Sequence, residues 1–381
     1  MSETEVSPYS RKNPFPASLT VNRPLTGTGS QKDTRHFEID LKGSGLEYEV
    51  GDSLGVFPTN DPELVDEILH LLGLSGDEQV TSPAKEQVTL RDALLYHSVL
   101  TDPSKQLLAA IGEKDPAAQS LRDLLESEDR QALSNYAWGR EVIDPLLEYD
   151  VKFTADEFVA VLRKLQPRLY SIASSLKAHP DQVHLMIATV EYESYGRKRK
   201  GVCSTYLAQR VSEGKKVPVF VHKAKHFRVP EDPATDMIMV GPGTGVAPFR
   251  AFLQERKATN ATGRNWLFFG EQHSSSEFFY RDELEAFQKD GVLTHFDTAF
   301  SRDQEHKIYV QHRLLERGAD IWEWLKGGAY FYVCGDAERM AKDVEATLLE
   351  IIEKHGGKSQ EEATAYLDEF KKAKRYRKDV Y

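Results

Sequence analysis

Short apolar runs alternate with polar residues along the first part of the chain. SLTVN (Ser18 to Asn22), HFEIDL (His36 to Leu41) and SLGVF (Ser53 to Phe57) are β-prone and are divided by Gly, Asp and Pro. This pattern predicts a small antiparallel barrel or sandwich. The period changes at Asp61. Asp61-Pro62-Glu63 offers a capping acid, a proline at the first helical position and an acid in the first turn. Leu64, Val65, Ile68, Leu69 and Leu72 follow at helical spacing, and Gly73 is placed to stop the helix. Helical patterns run on to about Tyr149 with no recognisable chemistry, so this region reads as an insertion that spaces or covers the barrel. Strand patterns resume in RLYSIAS from Arg168, VHLMIATVEYE (Val183 to Glu193) and VPVFVHK (Val217 to Lys223).

After a proline-bearing linker, Val229 to Pro233, strands and helices take turns. Strands are predicted at Met237 to Val240, Trp266 to Phe269, Leu293 to Thr298 and Tyr330 to Cys334. Helices are predicted at Arg281 to Lys289, Tyr309 to Leu325, Glu338 to Lys354 and Ser359 to Lys372, the last opened by a Ser359/Glu362 capping box. Alternation of this kind implies a parallel sheet covered by helices on both faces. The expected divisions are a barrel over 13–60 and 155–228, a helical insertion over 61–154, and an α/β domain over 234–381.

Composition narrows the function. At 381 residues, 29% charged and 40% hydrophobic, the chain is an ordinary globular protein with ample core. Its formal net charge of −11 argues against general nucleic-acid binding. No run approaches a membrane span, and MSETEVSPYSRKNPFP lacks the apolar centre of a signal peptide. Cys203 and Cys334 stand far apart with no metal-type spacing, which fits a reducing, cytoplasmic setting; no metal is expected.

Four stretches carry candidate chemistry. DMIMVGPGTGVAPFR (Asp236 to Arg250) reads as strand, glycine turn and helix start. Gly241, Gly243 and Gly245 permit a sharp turn and close approach of a ligand, and the helix start suits a phosphate. Val246 stands where the strict dinucleotide fingerprint has a third small residue, so an ordinary tight turn is the alternative. Ser301, Arg302, Lys307, Tyr309 and Gln311 follow the third strand of the α/β part, where cations suit the 2′-phosphate of NADP and an acid would suit NAD; a solvated loop is the alternative. Arg168 and Tyr170 should share one face of a strand, with Ser171 on the other, able to grip a phosphate and cover a ring or simply to pair across strands. Gly201-Val202-Cys203-Ser204-Thr205 opens a helix expected over Thr205 to Val211, as a second phosphate cradle or as plain capping.

Six motifs in one order carry a resemblance over nearly the whole chain. They are RLYSIASS (Arg168 to Ser175), GVCSTYL (Gly201 to Leu207), VGPGTGVAPFRAFLQER (Val240 to Arg256), SRDQEHKIYVQ (Ser301 to Gln311), YVCGDAERMAKDVE (Tyr332 to Glu345) and RYRKDVY (Arg375 to Tyr381). Together the chain resembles the ferredoxin–NADP reductase module of the diflavin reductases. The resemblance implies an α+β multidomain protein: a FAD-binding antiparallel barrel interrupted by a helical subdomain, then a doubly wound α/β NADP-binding domain. It implies a FAD-dependent NADPH oxidoreductase. Arg168, Leu169, Tyr170 and Ser171 would hold FAD; Met186, Ile187 and Ala188 would line the flavin; Tyr192 would stack on the adenine side. Gly201, Val202, Cys203, Ser204 and Thr205 match the FAD pyrophosphate loop. Gly243, Thr244, Ser301, Arg302, Lys307, Ile308, Tyr309, Val310, Gln311 and Asp343 match NADPH contacts. Tyr381 matches a terminal aromatic that covers the isoalloxazine, although a terminal residue on its own would read as frayed; Ser171, Cys334 and Asp379 match residues beside the hydride path.

Family members carry an FMN-binding flavodoxin domain ahead of this module. About a dozen residues precede the first strand here, so that domain is expected to be missing and FAD to be the sole flavin. The electron acceptor is then a separate protein: a sulfite reductase hemoprotein, or, for a stand-alone ferredoxin/flavodoxin–NADP reductase, a flavodoxin or ferredoxin. GVCS leans toward the plant-type ferredoxin reductases. Lys371, Lys372, Lys374, Arg375, Arg377 and Lys378 would steer an acidic carrier, or serve only as a basic helix end. A hydrolase built on Ser171, Cys334 and Asp379 lacks a G-x-S-x-G elbow and a base histidine. A non-catalytic nucleotide sensor would keep its colour on adding NADPH.

Overall fold

The computed structural model of the chain describes residues 7–127 and 129–381. The reading of Met1 to Val6 as part of a non-signal N-terminus lies outside the described residues. Two compact units are present. One holds the chain up to Gly55, Leu169–Ala188 and Ser212–Tyr381; the other holds Val56–Arg168 and Thr189–Val211. They cut the chain differently from the domain boundaries read in the sequence. Barrel strands and α/β sheet fall in one unit, while 155–168 and 189–211 go with the insertion.

In the first unit, apart from the end residues Val56 and Arg168 that are counted with the other, β1 (Phe15–Pro24), β2 (Thr34–Asp40), β3 (Ser53–Val56), β4 (Arg168–Ser171), β5 (Gln182–Ala188) and β6 (Lys216–His222) form one sheet. The order is β4-β3-β6-β1-β2-β5. An antiparallel bridge between Ile172 and Leu185 joins the outer strands and closes the barrel. The alternation that predicted these strands is the alternation that fills them: Ala17, Leu19, Phe37, Ile39, Leu54, Val217 and Val219 are all buried. β5 is buried on both faces, because Val183 and Leu185 enter the barrel while Met186 joins the core against the α/β layer.

That layer is a five-stranded parallel sheet of β7 (Met237–Val240), β8 (Asn265–Glu271), β9 (His295–Phe300), β10 (Tyr330–Gly335) and β11 (Tyr376–Val380). Its order is β9-β8-β7-β10-β11. Phe249 and Phe252, from the helix Ala247–Ala258, and Leu284 and Phe287, from Arg281–Lys289, cover one face. The helices Val310–Glu316, Gly318–Lys326, Met340–Gly356 and Gln360–Lys372 cover the other. The doubly wound expectation is met, with three differences. β9 starts at His295 rather than Leu293, because the Leu293 N–H donates to Phe287 O and closes the preceding helix. The helix expected from Tyr309 to Leu325 is two helices broken at Arg317; a Cβ on Gly318 would lie 2.7 Å from the His355 ring, so the chain turns where it meets the next helix. β11 was not predicted at all: its alternation is hidden under Arg377, Lys378 and Asp379, as on many charged sheet edges.

The second unit packs its own core around Val65, Ile68, Leu94, Leu107, Ile111, Ile143 and Phe158. Its first helix, Pro62–Leu72, starts and stops as predicted: Asp61 accepts from the Glu63 N–H, and Gly73 is left-handed at φ 68°. The insertion also contains a small ribbon, Gln79–Thr81 with Gln87–Thr89. The strand expected from Val183 to Glu193 is divided. β5 ends at Ala188, and Glu191–Ser194 turns back on Arg197–Lys200 through Tyr195 and Gly196, both left-handed at φ 50° and 69°. The helix expected from Thr205 begins at Val202, with Gly201 as its cap residue, and widens over Tyr206–Arg210.

Candidate active site

The glycine turn after β7 lies at the carboxyl edge of the parallel sheet, the edge where such folds take ligands. Gly243 is left-handed at φ 58°. A Cβ on Gly245 would sit 2.1 Å from Cys334 O, so only glycine lets the turn press against β10. Beside it opens a cavity of about 480 Å³. Gly243, Ser301, Arg302, Lys307, Tyr309, Val310, Gln311 and Asp343, eight of the ten residues expected for NADPH, line it. The other two are close by: Ile308 packs on the core and Thr244 turns to Tyr381. Gln311 Nε2 donates to Asp343 Oδ2 at 3.2 Å, tying two of the lining segments together. Lys32, Glu271, Gln272, Asp336, Arg339 and Met340 are also in the wall, and none of them was picked out as a site residue from the sequence. Arg302, Lys307 and Arg339 make no ion pair among the described residues. Three cations with no counter-ion, a hydroxyl and the half-exposed Tyr309 ring form a donor set that fits a phosphorylated nucleotide.

Next to this cavity β10 and β11 place Cys334 opposite Asp379. Asp379 Oδ2 accepts the Ser171 hydroxyl at 2.6 Å. Cys334 is fully buried, and burial first, then the Asp379 carboxylate, pushes its thiol well above the usual range, so it carries its proton at neutral pH. Tyr381 is pinned, not frayed: its N–H donates to Gly335 O at 3.1 Å, its carbonyl accepts from Ala337 N at 3.2 Å, and its hydroxyl meets Thr244 Oγ1 at 2.8 Å. The residue is still 65% exposed. All four expected hydride-path residues therefore lie in one unit: Ser171 is hydrogen-bonded to Asp379, Cys334 is opposite Asp379, and Tyr381 is hydrogen-bonded to Thr244.

The FAD residues are spread more widely. In the first unit Leu169 is exposed, Tyr170 and Ser171 are half-buried at the end of β4, Met186 and Ile187 are buried in protein, and Ala188 ends β5. Buried Met186 and Ile187 leave chiefly their backbone for a ligand. In the second unit, whose last residue before β4's remainder is the exposed Arg168, Tyr192 borders a hollow with Thr101, Asp102, Trp138, Arg140 and Ser194. Trp138 is 83% exposed there, and nothing in the helical pattern around it pointed to a role. Arg140 is held between the rings of Tyr136 and Tyr195, 4.0 and 4.1 Å from their centres. Val202, Cys203, Ser204 and Thr205 are buried; Thr205 Oγ1 donates to Gly201 O at 2.8 Å and Ser204 Oγ accepts from Val190 N at 3.1 Å. The two hydroxyls are occupied at home, so a phosphate here would be met by the helix-start N–H groups.

The basic tail is partly spent within the fold. Lys371 and Lys378 both pair with Glu345, and Arg375 and Arg377 donate to backbone carbonyls. Lys372 and Lys374 stay exposed. Away from this region, His36, Glu38 and His184 bring three donors within 4.8 Å of one another. Arg250 Nη1 donates to His184 Nδ1 at 3.3 Å, which places the proton of that ring on Nε2 and a fixed positive charge in the cluster. Both work against a bound cation.

Comparisons with known proteins agree with this geometry. Residues 7–206 match the family described as FAD binding domain, and 239–346 that described as oxidoreductase NAD-binding domain. The expectations of FAD and NADPH agree with these descriptions. Curated relatives named "Sulfite reductase [NADPH] flavoprotein alpha-component" include those of Bacillus subtilis (strain 168), 50% identical over 100% of this chain and 63% of its own length, and of Vibrio cholerae serotype O1 (strain ATCC 39315 / El Tor Inaba N16961), 47% identical over 100% and 61%. That of Photorhabdus laumondii subsp. laumondii is 48% identical over 98% of this chain and 62% of its own. The chain thus spans 61–63% of the length of these three relatives. With more than half of its residues matched by the first domain and the second following in order, the chain belongs to the FAD binding domain family, in the two-domain form of the ferredoxin–NADP reductase module.

Proposed function

We propose that this chain is an NADPH-dependent FAD oxidoreductase that passes electrons to a separate protein. The observation that carries the reading is the cationic cavity at the sheet edge, walled by eight of the residues expected for NADPH and adjoining the Tyr381–Thr244 pair. Ser301, Arg302 and Lys307 would take the 2′-phosphate, with Tyr309 beside the adenine and Gly243 and Thr244 at the pyrophosphate. Arg168, Tyr170, Ser171 and Tyr381 would serve the flavin end of FAD, with Tyr192 at its adenine and Gly201 to Thr205 at its phosphates. When bound, the two cofactors supply the hydride transfer between nicotinamide and flavin. The chain's own share is to position and to hold protons. Asp379 keeps the Ser171 proton directed at Oδ2, Cys334 stays a neutral thiol, and the Tyr381 ring would cover the flavin face that the nicotinamide must reach.

As acceptor we favour a sulfite reductase hemoprotein over a flavodoxin or ferredoxin, on the printed names of the relatives. Cys203 and Cys334 are both buried, far from each other in the chain and in no metal-type spacing, which supports a cytoplasmic setting, and among the described residues no helix is long and apolar enough to cross a membrane. The test is direct. Protein loaded with FAD should be yellow and should bleach on anaerobic addition of NADPH, far faster than with NADH. Colour that persists with excess NADPH sinks the reading. Recovery of colour on adding each of the three acceptors in turn then identifies the acceptor.

A further inference from the structure

Glu271 is out of place in a cavity meant for phosphates. It ends β8 at the carboxyl edge of the parallel sheet, beside the glycine turn, where a carboxylate repels a phosphate. Its side chain is only 5% exposed. Its Oε1 lies 3.6 Å from the position a Cβ would take on Gly243, so the carboxylate sits against the glycine turn itself. Gln272 N–H donates to Oε2 at 2.7 Å, which stabilises the charge without removing it.

The counter-ion comes from the barrel. Lys32 Nζ donates to Glu271 Oε1 and Oε2 at 2.7 and 2.8 Å, and Lys32 lines the same cavity. It stands at the end of the loop between β1 and β2, 25–33, and that loop is tied down on the α/β layer. Gly27 N–H donates to Ser276 O at 2.7 Å, Ser30 Oγ to Glu277 Oε1 at 2.6 Å, and Lys32 N–H to Ser30 Oγ at 3.0 Å. The ammonium is therefore delivered to the carboxylate by an anchored segment, within one compact unit.

We propose that Lys32 is a specificity-determining, positioning residue for the phosphorylated dinucleotide. By neutralising Glu271 it converts a carboxylate that would repel phosphate into a neutral wall that admits it. This inference rests on the nucleotide reading of the cavity given above. Without Lys32, a nearly buried carboxylate faces each incoming phosphate, and the penalty grows with the ligand's negative charge. NADP+ should suffer more than NAD+.

The experiment is equilibrium binding of NADP+, NAD+ and 2′,5′-ADP to the FAD-loaded protein by calorimetry. Lys32→Gln should weaken NADP+ and 2′,5′-ADP about tenfold and NAD+ less. Lys32→Arg, which keeps the charge, should stay close to the parent. Lys32→Gln combined with Glu271→Gln should recover most of the lost affinity, because the offending charge is gone. Unchanged NADP+ affinity in Lys32→Gln overturns the proposal, and so does a double variant as weak as the single one, which would make Lys32 a mere loop anchor or a direct contact. Parent protein that binds none of the three ligands would instead overturn the nucleotide reading.

Discussion

Lowering the pH should weaken the first unit through two histidines that the fold keeps neutral. His36 and His184 are buried on neighbouring strands, their rings 5.1 Å apart. Burial first, then the Arg250 guanidinium, brings His36 down to about 3 and His184 to about 2, from a usual 6.5. Arg250 and Tyr280 face them from the α/β layer, Arg23 from β1, Glu38 from β2, and His179 from the loop before β5. Their folded pKa values are depressed, so the unfolded chain binds more protons below pH 6.5. The stability these rings allow is complete above pH 6.5 and is lost as the pH falls from there toward the folded values. Each ring costs about 1.4 kcal/mol per pH unit in that window. From pH 6.5 to 5 the pair removes about 3 kcal/mol, since the unfolded rings are only half protonated at the upper limit, against a typical total of roughly 5–15 kcal/mol. Urea unfolding followed by tryptophan fluorescence measures this. Trp266, Trp322 and Trp324 report on the first unit, and Trp138→Phe removes the only tryptophan of the second. The His36→Gln/His184→Gln variant should lose about 3 kcal/mol less than its parent between those pH values. Parallel pH profiles for the two proteins would refute the reasoning.

Three further outcomes follow from the geometry. Arg302→Ala should weaken 2′,5′-ADP about tenfold, ~1.4 kcal/mol, and leave NAD+ nearly unchanged by calorimetry; an equal loss for both would remove Arg302 from the 2′-phosphate. Tyr381→Ala, which frees Thr244 Oγ1 from its 2.8 Å contact, should bind NADP+ more tightly and release it more slowly; stopped-flow release rates equal to the parent's would end the idea of a ring that must move aside. Arg199, fully buried, pairs with Glu141 at 3.0 Å and Asp144 at 2.8 Å, so Arg199→Met should cost the second unit about 3–5 kcal/mol in chemical unfolding; a loss below about 1 kcal/mol would mean that the two acids are readily hydrated once the arginine is gone.

Where side-chain period and element agree, the sequence was readable. The barrel strands and the helix Pro62–Leu72 follow from alternation, a cap and a stop glycine, all local signals. The cavity at the sheet edge was also largely legible, because its cations and hydroxyls lie together in the chain from Ser301 to Gln311. Residues delivered from a distance were not. Lys32 and Glu271 are 239 positions apart and meet only through a loop anchored across layers. The histidine pair reads as ordinary strand positions until Arg250 and Tyr280 are brought against it. The hairpin at Tyr195-Gly196 was missed for a local reason, since a tyrosine rarely takes a left-handed turn.

The tail shows why a strand, and not a flexible end, suits this chemistry. In β11 successive side chains point to opposite sides. Val380 turns into the core beneath the sheet, while Asp379 and Tyr381, two positions apart, turn the other way, to Ser171 and Thr244. The parallel pairing with β10 sets the register: Cys334 is opposite Asp379 and Gly335 opposite Val380. A slip of one residue would bury the carboxylate and bring the valine out, so the core packing of Val380 and Tyr376 holds the reactive groups in place. The Tyr381 ring on this end is fixed at its backbone and held at its hydroxyl by Thr244, and yet it remains 65% exposed. A rigid base and a ring with one side-chain hydrogen bond to break is the combination that the proposed movable cover needs.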